Sequence, residues 1–309
     1  MLPFKLIYSD GYDLNLGTHV FPSQKYRMVH DHLLREGIAE AWDFISPAKA
    51  TDEDVLRVHT AEYLRKLKTG SLSYAEMMRL EVPYSDELIE ACWLAAGGSI
   101  LAGQRALADG WSANVGGGFH HAHAGHGEGF CVIHDVAIAI RRLMHDGAIS
   151  TAMVVDTDVH HGNGTAAIFG EVDAVFTLSI HQANNYPYFK PRSTVDINLE
   201  DGVEDEEYLE KLEKSLAKAF EEFSPEILFY VAGADPYRED QLGGLALTME
   251  GLRLRDDLVF DFARRHSVPA VITLAGGYAR DVGDTVKIHV GTILAMRDAA
   301  GAKRTAAGG

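Results

Sequence analysis

Four histidines fall within seven residues, His120, His121, His123 and His126, in the stretch GGGFHHAHAGHGEGF. Imidazoles in such a cluster can hold a metal, move protons, or decorate a glycine-rich loop. The three preceding glycines let the backbone bend sharply and approach a ligand, which makes the tandem pair His120 and His121 a candidate for proton transfer. A second polar cluster ends the apolar run in AMVVDTDVHHGNG, where Asp156, Asp158 and His160 stand at alternate positions. On an extended strand such side chains point the same way, so three polar groups would share one face at the strand's exit. Burying them is costly unless they are satisfied, either by a divalent cation or by a capping turn in which the acids bind backbone N–H groups. The run EILFYVAGAD likewise ends on Asp235. Asp158, His160 and Asp235 together offer two carboxylates and a neutral imidazole, which would neutralise a 2+ ion and leave positions for water and substrate. Zinc suits that set, and iron(II), cobalt or manganese would also fit. In LAGGYARD, Tyr278 follows a Gly-Gly turn; it could donate its hydroxyl to a developing oxyanion or simply pack.

The elements that must carry these groups are legible as alternating apolar runs and helical patterns. FKLIYSD (4–10), AMVVDTD (152–158), AVFTLSIH (174–181), EILFYVAGAD (226–235) and AVITLAGG (270–277) read as buried strands, with SANVGGG (112–118) a weaker sixth. One helix is expected from a cap at Ser85 to Gly110, and another over EDEEYLEKLEKSLAKAFEEF, with Leu209, Leu212, Leu216, Phe220 and Phe223 on one face. A third covers 249–266 and stops before Pro269. The alternation predicts an α/β fold, a mainly parallel central sheet with helices on both faces. Ligand sites in such sheets gather at the carboxyl ends of the strands. One domain is expected over 1–298, followed by a frayed tail, 299–309.

The formal net charge of -17 and pI near 5.2 argue against binding a phosphate backbone, so no nucleic-acid partner is expected. The charge would suit a cationic substrate, although plain solubility explains it equally well. MLPFKLIYSDGYD lacks the features of a signal peptide, and no apolar run approaches the ~20 residues of a membrane span. A cytoplasmic protein with no membrane partner is expected, with Cys92 and Cys131 as buried thiols.

The motifs GGGFHH, GEGFCVIHDVAIAI, VVDTDVHHGNGTAAIF, VAGADPYREDQLGGLALTMEGL and LAGGYARD, in this order, resemble the histone deacetylases of the arginase/deacetylase superfamily. ATDEDVLRVHTAEYLRKL resembles the family's early helix, and the likeness runs over roughly residues 5 to 295. WSANVGGGFHH, HHGNG and GDTV resemble the class IV branch and its bacterial relatives most. The resemblance implies the arginase/deacetylase fold and a zinc-dependent hydrolase (with iron(II) as the alternative ion) that removes acetyl or longer acyl groups from lysine ε-amines. It implies Asp158, His160 and Asp235 as zinc ligands, His121 as general base, His120 as its tandem partner and Tyr278 as the hydroxyl on the scissile carbonyl. Asp156 would orient His120. It would also join a K⁺ site with Asp158, His160, Ser179 and Ile180. Gly129 and Phe130 would wall the acyl-lysine channel, facing Tyr186, which is preferred here over Tyr188 or Phe189.

Two positions depart from the family's usual pattern. Many members carry Asp where this chain has Asn163, beside the second tandem histidine. An amide can orient an imidazole but cannot stabilise its cation by charge, so a less basic His121 is expected. His123 and His126 fall in a variable loop and receive no role. A two-metal ureohydrolase of the same fold would want a further acid where Gly162 and Asn163 stand. An amidohydrolase acting on acetylated polyamines or other small acylated amines would often carry a long insertion, and none is evident. A catalytically silent metal-binding module would need neither Tyr278 nor the tandem histidines.

Overall fold

The computed structural model describes residues 2–14 and 16–302. Eight strands form one sheet: β1 (Lys5–Ile7), β2 (Phe44–Ile45), β3 (Trp111–Asn114), β4 (Ala152–Asp156), β5 (Val175–Gln182), β6 (Val195–Leu199), β7 (Leu228–Val231) and β8 (Ala270–Thr273). Their spatial order is β2-β1-β3-β8-β7-β4-β5-β6, and every pairing is parallel. Strands β4, β7 and β8 are buried along their whole length, which is why they read as unbroken apolar runs.

The short third strand is held by hydrogen bonds that its polar side chains donate. Ser112 Oγ donates to Lys5 O, and Asn114 Nδ2 donates to Ala95 O and Ser99 Oγ. The two strands that sequence patterning did not predict, β2 and β6, are the two edges of the sheet. Both are only partly buried, so neither carries the apolar signature of a central strand.

Ten α-helices flank the sheet: α1 (Lys25–Arg35), α2 (Asp52–Val55), α3 (Ala61–Thr69), α4 (Tyr74–Leu80), α5 (Asp86–Asp109), α6 (Asp135–His145), α7 (Asn163–Phe169), α8 (Asp205–Glu222), α9 (Met249–Arg265) and α10 (Val282–Gly301). Ser85 caps α5 by accepting from Leu88 N. Helix α5 packs on α6 and against β1, β3 and β8, while α8, α9, α10 and α1 pack each on the next. On α8 the buried face uses Tyr208 where Leu209 was expected, with Leu212, Leu216 and Phe220. The expected early helix is broken in two, because Thr60 starts α3 afresh by capping Tyr63 N. Helix α10 continues through Gly301, three residues into the expected tail; residues 303–309 of that tail lie outside the described residues. Among the described residues no helix is long and apolar enough to cross a membrane.

Register makes this sheet a platform. Asn114 pairs with Thr273, Thr273 with Val231, and Val231 with Asp156. The carboxyl ends of the four adjacent strands β3, β8, β7 and β4 therefore lie level, and the loops leaving them start from one line.

Candidate active site

Those four loops carry the polar residues singled out above. Strand β4 ends at Asp156, two residues short of the expected 152–158. Beyond it the chain turns on its own carboxylates: Asp156 Oδ1 accepts from Asp158 N (3.1 Å), and Asp158 Oδ1 accepts from His160 N (3.0 Å). Capping and convergence, posed as alternatives from sequence, are both present. Asp158 Oδ2 accepts from Gly276 N (2.8 Å) and Asp235 Oδ1 from Val159 N (2.8 Å), so each carboxylate ties two exit loops together. From below, the buried Arg255 of α9 pairs with Asp256 and donates to Gly233 O (2.6 Å) and Thr157 O (3.4 Å).

One donor atom each from Asp158, His160 and Asp235 lies within 4.8 Å of the others, and all three residues are buried. His160 Nδ1 stands 3.0 Å from Asp158 Oδ1 and 3.3 Å from Asp235 Oδ2, and the latter oxygen makes no hydrogen bond of good geometry. Burial, with the Asp158 charge added, pushes the Asp235 carboxyl up to about 7. Burial disfavours a charged His160, yet hydrogen bonds and charge from the two carboxylates prevail and raise it to about 10. The three side chains together demand a cation between them. A proton on Nδ1 is the smallest that serves, and a divalent ion fits the same donors.

The GGGF turn that delivers the tandem histidines is held by a buried carboxylate on α6. Asp135 accepts from Gly118 N, Phe119 N and Ser99 Oγ. Gly118 has φ 80°, and a Cβ there would come within 2.8 Å of Ala275, so the loops after β3 and β8 meet backbone to backbone. His120 Nδ1 lies 2.6 Å from Asp156 Oδ2, and His121 Nδ1 lies 2.6 Å from Asn163 Oδ1. The two residues differ sharply in basicity. Burial lowers both, but the Asp156 and Asp158 charges lift His120 to about 9, while the neighbouring His120 and His160 charges drive His121 further below its ordinary value. Because an amide oxygen only accepts, His121 Nδ1 carries a proton and Nε2 is left as a lone pair.

Tyr278 is buried, with its ring centroid 6.3 Å from that of His160 and 6.0 Å from that of Phe130. Its backbone N–H donates to Asp240 Oδ2 (2.7 Å), while Asp240 Oδ1 accepts from Leu242 N and Gly243 N. Behind it the buried ammonium of Lys25 donates to Ala275 O (2.6 Å); desolvation lowers it to about 8 against the pull of Asp235, Asp158 and Asp240. Ser179 pairs in register with Asp156 across β4 and β5, followed by buried Ile180. A cavity of about 740 Å³ runs in from solvent to His121, His160 and Tyr278, walled by Gly129, Phe130 and Tyr186. Tyr186 stacks edge-on against His121 at 5.0 Å, whereas Tyr188 and Phe189 lie on the surface.

His123 and His126 do not join the buried trio, but they are not isolated either. Asn163 Nδ2 donates to Glu128 Oε1 (2.5 Å) and to His123 Nε2 (3.0 Å), while His126 Nε2 meets Glu128 Oε2 at 3.1 Å. With two acceptors on its nitrogen, the Asn163 amide is fixed with its oxygen toward His121. Glu128, Asp135, Asp240 and Lys25 were not anticipated from sequence. Only Asp240 carried a signal, the turn-forming EDQLGG.

The family model for the histone deacetylase domain matches residues 19–293. An uncharacterized protein of Picosynechococcus is 35% identical over 296 residues, covering 96% of this chain and 99% of its own. Histone deacetylase 2 of Arabidopsis thaliana is 32% identical, covering 91% and 77%. The crystal structure of the HDA15 HD domain superposes with a TM-score of 0.80 at 21% identity, over 94% of this chain and 90% of that one.

Proposed function

Since the chain belongs to the histone deacetylase family, we propose that it is a zinc-dependent hydrolase removing acyl groups from lysine ε-amines in peptides or proteins. The observation that carries this reading is the buried trio Asp158, His160 and Asp235, whose donor atoms converge at the floor of an open channel. The wording of its motifs supports reading it as a class IV-type or bacterial member, and the same reading has it acting in the cytoplasm with K⁺ at Asp156, Asp158, His160, Ser179 and Ile180.

When bound, the zinc ion would lower the pKa of water and polarise the acyl carbonyl. The chain's own residues do the rest. His121 Nε2 takes the proton as water oxygen bonds to the acyl carbon, because Nδ1 is committed to Asn163 Oδ1. Tyr278 O–H donates to the carbonyl oxygen as it gains charge. His120, kept cationic by Asp156, holds its charge beside the reacting carbon. The C–N bond then breaks, His121 returns its proton to the leaving nitrogen, and free lysine and a carboxylic acid separate. Phe130 and Tyr186 flank the aliphatic stem. The direct test is release of free amine from acyl-lysine peptides before and after chelation and again after zinc is restored. A metal-loaded sample inactive on every acyl chain would sink the reading.

Two predictions follow from the geometry. Past the trio lies a small cavity of about 10 Å³, bounded by Phe21, Tyr26, Phe130, Cys131 and Tyr278, roughly the ~10–15 Å³ that one water requires. With the lysine stem in the channel, the acyl tail must enter that space, so acetyl should be turned over roughly 5- to 150-fold faster than butyryl or longer chains, an overpacking cost of ~1–3 kcal/mol. A peptide panel graded in acyl length measures this. Asn163→Asp should raise the basicity of His121 by adding the charge an amide lacks. Since the base acts unprotonated, the acid limb of kcat/KM should move to higher pH; an unmoved limb would count against His121 as base.

A further inference from the structure

His123, His126 and Glu128 take no part in the chemistry above, yet they form the one partly exposed histidine-carboxylate cluster among the described residues that could hold a metal. One donor atom from each lies within 4.8 Å of the others. His126 Nε2 is 3.1 Å from Glu128 Oε2, and His123 Nε2 is 3.8 Å from Glu128 Oε1. Donors about 2.1 Å from a shared ion stand roughly 3.0 to 3.4 Å apart at right-angled or tetrahedral geometry. The two separations run to different carboxylate oxygens, so Glu128 would grip the ion with both: His126 already fits Oε2, and His123 must close on Oε1 by a few tenths of an ångström.

The loop backbone is fixed, since His123 N donates to His126 O (2.9 Å) and Glu128 N to Cys131 O (3.1 Å). The two imidazoles stack at 4.5 Å with their planes 12° apart, so one ring must turn for both to face a shared ion. The side chains remain 14% to 27% exposed, open to an ion from solvent. In the other cluster outside the trio, His161, His181 and Asp196, both histidines are buried and both His181 nitrogens are engaged, by Ser179 Oγ and Asn198 Oδ1.

We propose that His123, His126 and Glu128 form a second divalent-cation site, of zinc-like preference, whose occupation slows the enzyme. Two imidazoles and one carboxylate suit zinc and its borderline neighbours and leave positions for water. The link to turnover is Asn163. Its Nδ2 donates to His123 Nε2 and Glu128 Oε1, the two acceptors a cation would claim. Once they are taken, the bonds that orient the Asn163 amide are lost, its bond to His121 Nδ1 is left without that support, and the reactive tautomer of the imidazole is held less firmly. This regulatory half rests on the reading of His121 as base; the binding half does not.

The test is zinc stoichiometry of the full chain by elemental analysis after equilibrium dialysis, paired with turnover at one equivalent and in excess. Wild type should bind two equivalents, His126→Gln one, His160→Ala one, and the double variant none. Glu128→Gln should also lose one, guarding against a folding artefact at His126. Wild-type kcat should fall about fivefold as the second equivalent binds, the worth of one ordinary hydrogen bond, while His126→Gln keeps the one-equivalent rate in excess zinc. If His160→Ala keeps two equivalents while His126→Gln drops to one, the second site is supported and the catalytic trio is what fails. A single equivalent on wild type, two on His126→Gln, or excess-zinc inhibition persisting in His126→Gln would overturn the proposal.

Discussion

Asp235→Asn should reduce turnover of an acetyl-lysine peptide by at least about a thousandfold and remove one equivalent of bound zinc. Its Oδ1 holds Val159 N and its Oδ2 is the unpaired oxygen facing His160, so the substitution changes charge at the point where the trio requires it. An amide of the same shape donates where the carboxylate could only accept, and the remaining Asp158 and His160 bring too little negative charge to retain the ion. A thermal melt separates this from simple misfolding. Stripped of metal, wild type buries two carboxylates against one imidazole and the variant only one, so metal-free Asp235→Asn should melt no lower than metal-free wild type. Added zinc should then raise the melting temperature of wild type well beyond that of the variant, since only binding to the folded chain stabilises it. Full zinc affinity in the variant would dismiss Asp235 as a ligand.

His121→Ala should show the opposite division, with turnover down by about 10²–10⁴, the usual worth of a positioned general base, and zinc content unchanged. His121 lies outside the trio, its ring centroid 5.9 Å from that of His160, and it shares no hydrogen bond with Asp158 or Asp235 in the set that binds it to Asn163. The two variants together distinguish loss of the ion from loss of the proton acceptor. An alanine variant that kept wild-type kcat would remove His121 from the reaction.

Much of this arrangement was legible from the chain because central parallel strands leave an unmistakable trace. Val, Ile, Leu and Phe runs ending on Asp156, Asp235 or Gly276 mark both a buried strand and the place where it opens to a ligand. The same rule explains the omissions. Strands β2 and β6 lie at the sheet's edges, half covered, and their sequences do not need to be apolar. The path beyond β4 was misread as extended because period-two spacing looks the same whether strand pairing or successive carboxylate-to-backbone bonds produce it. Glu128, Asp135 and Lys25 were invisible for a different reason: each acts on a residue distant in sequence, Glu128 on Asn163, Asp135 on Phe119, Lys25 on Ala275. Their surroundings in sequence say nothing about what folding will bring to them.

The order of the strands has a consequence for how this molecule is made. The last strand among the described residues, β8, is not at an edge but lies between β3 and β7, joining β2-β1-β3 to β7-β4-β5-β6. Until residues 270–273 leave the ribosome, the nascent protein can hold at most two half-sheets, each exposing an unpaired apolar border. The sheet closes only once β8 has been made, when Tyr278 also arrives. A truncation before residue 270 should therefore yield not a weakened enzyme but a chain that chaperones retain, with two sticky borders and no shared floor on which to assemble a site.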